Sequence, residues 1–182
     1  MLRGVLLGTS ITRAGGDAGG WHEGTSALPG LGPRLRAMIP DRPVTLINRG
    51  FGGKASDYLL AQVPTVIADD PSFVMIDSCT NDSHSAKRIS PEKAASNVLS
   101  IASQIRAAKP GVFIGLWTLA PVLTGIAPKY LVQTERYHNS YRRLADAAAF
   151  DFFFDGVAYW QRLCDDGRDR RPAYIPDGIH PT

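Results

Sequence analysis

Short apolar runs alternate with stretches of helical spacing, and this alternation constrains the chain more than any other feature. The runs are Val5–Leu7, Val44–Ile47, Phe73–Ile76, Val112–Leu116 and Phe152–Phe154. Between them, Pro33–Ile39 reads as a short helix with Leu35 and Met38 or Ile39 on one face. Asp57–Ala68 reads as another, capped by Ser56, with Leu59, Leu60, Val63 and Ile67 at helical spacing. Ser90-Pro91-Glu92 supplies a cap, a first-turn proline and an acid near the positive end of the helix dipole. Ala94, Val98, Ile101 and Ile105 then form one face, and Pro110-Gly111 stops the helix. Tyr130–Ala149 carries Tyr137, Tyr141, Leu144 and Ala148 along a stripe, and Val157–Leu163 closes the series. Strands alternating with helices imply parallel βαβ units in an α/β fold. There is no internal repeat and no linker, so residues 1–182 are expected to form a single domain.

Composition narrows the function classes. Hydrophobic residues make up 44% and charged residues 20%, which fits a folded globular chain. The net charge is +3, but the positive residues are scattered. The densest run, Arg168–Arg171, is interrupted by Asp169 and reads as a solvated loop, so no nucleic-acid partner is expected. No apolar run approaches the roughly 18 residues of a membrane span, and none is expected. The apolar stretch after Met1 is too short for a signal peptide, so the mature chain is expected to begin at Met1. Cys79 and Cys164 cannot form a disulfide scaffold; together these readings favour a reducing, cytoplasmic location. Nothing in the sequence sets an oligomeric state.

In a parallel sheet, ligands bind outside the carboxyl ends of the strands. Gly8-Thr9-Ser10-Ile11-Thr12 follows the first strand. Asn48-Arg49-Gly50-Phe51-Gly52-Gly53-Lys54-Ala55-Ser56 follows the second, and its glycines let backbone N–H groups approach a ligand. Asp77-Ser78-Cys79-Thr80-Asn81-Asp82 follows the third, and Asp177-Gly178-Ile179-His180 lies near the chain end. Serine hydrolysis needs a hydroxyl, a base, a carboxylate to orient the base, and donors for the oxyanion. Ser10, His180 and Asp177 can supply the first three. The backbone N–H groups of Ser10 and Gly53 and the side-chain amide of Asn81 can supply the donors.

These four blocks, in this order, resemble the SGNH (GDSL-type) hydrolase superfamily over nearly the whole chain. Ser10 matches its nucleophile, Gly53 and Asn81 its oxyanion glycine and asparagine, and Asp177 and His180 its Asp-x-x-His block. The resemblance implies a three-layer α/β/α sandwich with a five-stranded parallel, flavodoxin-like sheet. It implies a serine esterase acting on small-molecule carboxylic esters through an acyl-enzyme, with no metal or other cofactor. Small or short acyl groups are candidates, including an O-acetyl group on a carbohydrate. Thr9 stands where the family has Asp, a residue outside the triad, which leaves the support of the loop around Ser10 open. The family continues past its histidine into a C-terminal helix, and a chain ending at Thr182 is expected to lack it.

Other readings stand beside this one. Each residue alone has a plain structural role: a turn serine, a turn asparagine, a surface histidine. A non-catalytic saccharide-binding domain on the same fold is the alternative function. Asp77, Asp82, His84, Asp177 and His180 could be imagined as a metal site, but they lack a metal-motif spacing. Gly50-x-Gly52-x-x-Ala55, with Asp69 or Asp70 further on, matches a variant dinucleotide fingerprint, though after the second strand instead of the first. Cys79 reads as a buried structural thiol near the Asn81 block. His22 and His138 read as surface or packing residues, and Trp21 as a candidate substrate wall. Phe113, Trp117, Phe152–Phe154 and Trp160 are expected in the core.

Overall fold

Five parallel strands form one sheet in the order β2-β1-β3-β4-β5. They are β1 (Leu2–Gly8), β2 (Val44–Gly50), β3 (Phe73–Asp77), β4 (Phe113–Thr118) and β5 (Phe152–Asp155). The computed structural model describes residues 1–13, 37–77, 80–118, 123, 127, 134–146 and 150–163. Every apolar run became a strand; β1 extends past its run to Gly8, and the other four extend into polar residues at the carboxyl end. Backbone pairing explains the extension, because a parallel ladder does not depend on side-chain polarity: Gly8 pairs with Gly50, and Asp77 with Trp117. The order reverses between β1 and β3, and the crevice at such a switch point is where doubly wound sheets bind ligands.

One face of the sheet presents Val5, Leu7, Val74, Ile76, Ile114 and Leu116, all buried. Alternation along each strand puts these residues on the same side. The helices α2 (Ser56–Ala61), α3 (Val63–Ala68), α4 (Pro91–Ala108) and α5 (Thr134–Asp146) are named in chain order after the short α1 (Ser10–Arg13). Leu59, Val63 and Val66 from α2 and α3 join this core, as do Val98, Ile101 and Ile105 from α4 and Tyr137 and Tyr141 from α5. The α4 start follows its sequence signature, with the Ser90 hydroxyl accepting from the Lys93 N–H at 3.2 Å.

Two expectations change here. The single helix over 57–68 is broken at Gln62 into α2 and α3. Pro64, in the first turn of α3, has no N–H to bond Leu60, and its ring crowds that carbonyl. Phe113, Phe152 and Phe154 are also not core residues, being 44%, 46% and 38% exposed. They lie on the opposite face of the sheet, where with Leu6, Met75 and Trp117 they line a groove of about 570 Å³. Their strand positions alternate with those of the residues under α2–α5, so the same pleat that buries Ile114 turns Phe113 away. The chain continues beyond β5 as α6 (Gly156–Leu163). Among the described residues, no helix is long and apolar enough to cross a membrane. Residues 33–36, 130–133 and 147–149 of the expected helices lie outside the described residues.

Candidate active site

The β1 end is tied to the β3 end by one carboxylate. Thr9 follows β1, and Ser10, half-buried, begins α1. The Thr9 N–H and Oγ1–H donate to Asp77 Oδ2 at 3.0 and 2.8 Å, and the Thr12 hydroxyl donates to the same oxygen at 3.0 Å. Asp77 thus supplies, from the neighbouring strand, a carboxylate beneath the loop that carries Ser10. Gly8 makes this approach possible. A Cβ there would meet Thr12 Oγ1 at 2.1 Å and the Asp77 Cβ at 2.5 Å.

Asp77 is fully buried. Burial pushes its carboxyl up to about 6, outweighing the bonds from Thr9 and Thr12 that pull it down; the nearby Asp82 charge adds to the rise. A carboxyl raised in this way holds its proton more tightly in the folded state. Its contribution to stability is therefore full below about pH 4 and falls as pH rises to about 6, then levels off. The interval between 3.8 and about 6 corresponds to about 3 kcal/mol at most. Thermal unfolding of the parent and of Asp77→Asn between about pH 4 and pH 8 should show the parent losing stability relative to the variant over that interval. Parallel curves would contradict it.

The second and third blocks are tied to the first and to each other. The Phe51 N–H donates to the Gly8 carbonyl at 2.9 Å, and Asn48 Nδ2 donates to the Thr12 carbonyl at 3.0 Å. Gly53 has φ +67°, and a Cβ there would touch nothing within 4 Å. Glycine is thus required by the turn itself, and the position opens onto space. Asn81 is buried in a 3₁₀ turn, Thr80–Ser83, and its Nδ2 donates to the Lys54 carbonyl at 2.8 Å, which orients the amide.

Asp82 is the second buried carboxylate. Its Oδ1 accepts from the Ser56 N–H at 3.0 Å and the Ser56 hydroxyl at 2.9 Å, and its Oδ2 accepts from the Tyr141 hydroxyl at 2.8 Å. Asn97 Nδ2 donates to the Ser56 oxygen at 2.9 Å, completing a chain from α4 to α5. Ser56 is therefore not the helix cap that its sequence position suggested. Ala55 stands at the cap, without a side-chain bond, and Ser56 turns inward to Asp82. A buried charge outbids a local backbone bond because charge-assisted hydrogen bonds are roughly twice as strong.

The structure thus joins the three described blocks pairwise by hydrogen bonds, with Ser10, Gly53 and Asn81 at adjoining strand ends. Asp177 and His180 lie outside the described residues, as do Cys79, Trp21 and His22. Asp77 and Asp82 entered the sequence reading as members of the third block and as metal candidates, and both are engaged by hydroxyl and N–H donors. Among the described residues, no group of three or more His, Cys, Asp or Glu could hold a metal ion. The dinucleotide reading also changes. Asp69 is held by Arg49 through two bonds, at 2.9 and 2.7 Å, and Asp70 pairs with Lys109. The sequence signal for Asp77 was an acid ending a wholly apolar run. Tyr141 carried no such signal beyond its stripe.

Comparison with known proteins follows the same lines. The model of the GDSL-like lipase/acylhydrolase family matches residues 6–182. A search of curated proteins gives no match. Among solved structures, the lipase/acylhydrolase from Enterococcus faecalis aligns with a TM-score of 0.78 at 19% identity, over 100% of this chain and 88% of that one. An α/β hydrolase from the metagenome of Lake Arreo, Spain, aligns at 0.76 and 24% identity, again over 100% and 88%. An acetyl xylan esterase from Geobacillus stearothermophilus aligns at 0.74 and 21% identity, over 100% and 87%. At these identities the structures speak to the fold.

Proposed function

The chain belongs to the GDSL-like lipase/acylhydrolase family, whose members hydrolyse ester bonds, and on that premise we propose that it is a serine esterase with Ser10 as its nucleophile. The observation that carries this reading is the hydrogen-bonded junction of the Ser10, Gly53 and Asn81 blocks at the switch point of the sheet.

His180 takes the Ser10 proton as the hydroxyl oxygen attacks the ester carbonyl. Asp177 holds the imidazole in the tautomer that accepts that proton. The Ser10 and Gly53 N–H groups and the Asn81 amide stabilise the tetrahedral oxyanion. Its collapse breaks the bond to the leaving alcohol, which receives the proton from His180, and an acyl-serine remains. Water, deprotonated by His180, attacks the acyl-serine through a second tetrahedral intermediate. The acid leaves, and the proton returns to Ser10.

The substrate class is a carboxylic ester with a small or short acyl group. An O-acetyl group on a carbohydrate is the leading example, in keeping with the acetyl xylan esterase among the structural neighbours. The test is hydrolysis of 4-nitrophenyl acetate, butyrate and octanoate, with and without a chelator, together with mass spectrometry after exposure to a phosphonofluoridate. Chelator-insensitive turnover that falls from acetate to octanoate is expected, with one phosphonyl adduct on Ser10. A chelator-abolished activity, or an adduct on another residue, would refute the reading. Binding of a glycan without any turnover would favour the saccharide-binding alternative.

A further inference from the structure

Three donors converge on one buried oxygen, Asp77 Oδ2. Two belong to Thr9, the residue before Ser10, and the third to Thr12, in the same helical turn as Ser10. Ser10 is thus bracketed by groups that answer to a single side chain. We infer that Asp77 is a positioning residue for Ser10: its ionised carboxylate, at the end of β3, fixes the turn that presents the nucleophilic hydroxyl. The inference rests on the reading of Ser10 as nucleophile.

The chemistry of the acceptor decides why a carboxylate stands here. An ionised oxygen accepts only, so it forces both threonine hydroxyls to act as donors and locks their rotamers. An asparagine of the same shape can place its carbonyl oxygen at this point, but without the charge. The bonds weaken by roughly half, and the hydroxyls regain other orientations. The turn would then sample positions that hold Ser10 off its line of attack, and small misplacements cost large factors in rate. Stability runs the other way. Burial raises the Asp77 carboxyl above its ordinary range, so at neutral pH the ionised form makes the fold less stable. A group that lowers stability beside a candidate site, where a neutral isostere would fit, is accounted for by what it does to that site. Asp82 differs, because its bonds join three separate elements and serve the fold directly.

The experiment compares the parent with Asp77→Asn, Thr9→Ser and Thr9→Val at pH 8. It measures kcat and KM for 4-nitrophenyl acetate, the rate of Ser10 phosphonylation, and Tm. In Asp77→Asn, kcat and the phosphonylation rate should both fall by at least about tenfold, with KM within about threefold. Its Tm should equal or exceed that of the parent, a result that a purely structural role would not give. Thr9→Ser keeps the hydroxyl and should retain kcat within about twofold, whereas Thr9→Val should lose it by about tenfold. Unchanged kcat in Asp77→Asn overturns the inference. If that variant does not fold, equal kcat in Thr9→Ser and Thr9→Val overturns it. Failure of the underlying reading looks different, because the parent itself would then carry no adduct on Ser10.

Discussion

Ser10→Ala is expected to lower kcat toward 4-nitrophenyl acetate by at least about 10³-fold, with KM little changed. On the proposed mechanism the loss is large because the Ser10 hydroxyl oxygen would form the bond that defines the acyl-enzyme, while the Thr9 and Thr12 hydroxyls are held by Asp77. It is not total, because the Gly53 N–H and the Asn81 amide would still stabilise the oxyanion of a direct attack by water. Folding should be nearly untouched. The bonds that hold this turn come from Thr9 and Thr12 to Asp77, and all three residues remain. Steady-state kinetics and a thermal melt on one preparation check both halves. His180→Ala should cost a similar factor, and the double variant should be little worse than either single one, because on the proposed mechanism the two residues act as a unit. Retention of more than about a tenth of the parent activity in Ser10→Ala would mean that another residue attacks the ester.

Asp82→Ala is expected to cost about 2–4 kcal/mol of stability, read as a shift in the urea midpoint at constant slope. Asp82 is 1% exposed, and its removal leaves the Ser56 N–H, the Ser56 hydroxyl and the Tyr141 hydroxyl facing a void. Each buried donor left without an acceptor carries its own desolvation penalty. Tyr141→Phe removes the bond to Asp82 and keeps the ring packed, so it should cost less, about 1–2 kcal/mol. The gap between the two variants measures how much of the Asp82 contribution lies in its bonds to Ser56. Equal losses would assign the whole effect to the Tyr141 bond. Asn81 precedes Asp82 in that turn, so folded Asp82→Ala should also hydrolyse esters more slowly.

Much of the fold was legible because hydrophobic patterning is local. A strand such as Val5–Leu7 and a helix face such as Ala94, Val98, Ile101 and Ile105 declare themselves through spacing, and all seven of these residues are buried. The strand ends were legible too, since a parallel sheet presents ligands there whatever its sequence. Ser10, Gly53 and Asn81 could be marked as candidates for that reason, and the order of their blocks pointed to the family.

Local pattern therefore settled the alternation of elements, the class of sheet and which chemically able residues stand at its carboxyl edge. Tertiary structure alone decided which groups those residues lean on. Ser56 has the spacing of a cap, but a buried carboxylate 26 positions away draws its hydroxyl more strongly than the backbone beside it. Asp77 ends an apolar strand 68 positions from Thr9, and only the β1–β3 pairing brings its oxygen under the turn that carries Ser10. Phe113 and Ile114 are equally apolar, yet Ile114 packs among the core residues of α2–α5 and is buried, whereas Phe113 faces the other way and stays exposed. Spacing along the chain reports contacts a turn apart, whereas the electrostatics and packing that shape the site come from residues the fold makes neighbours.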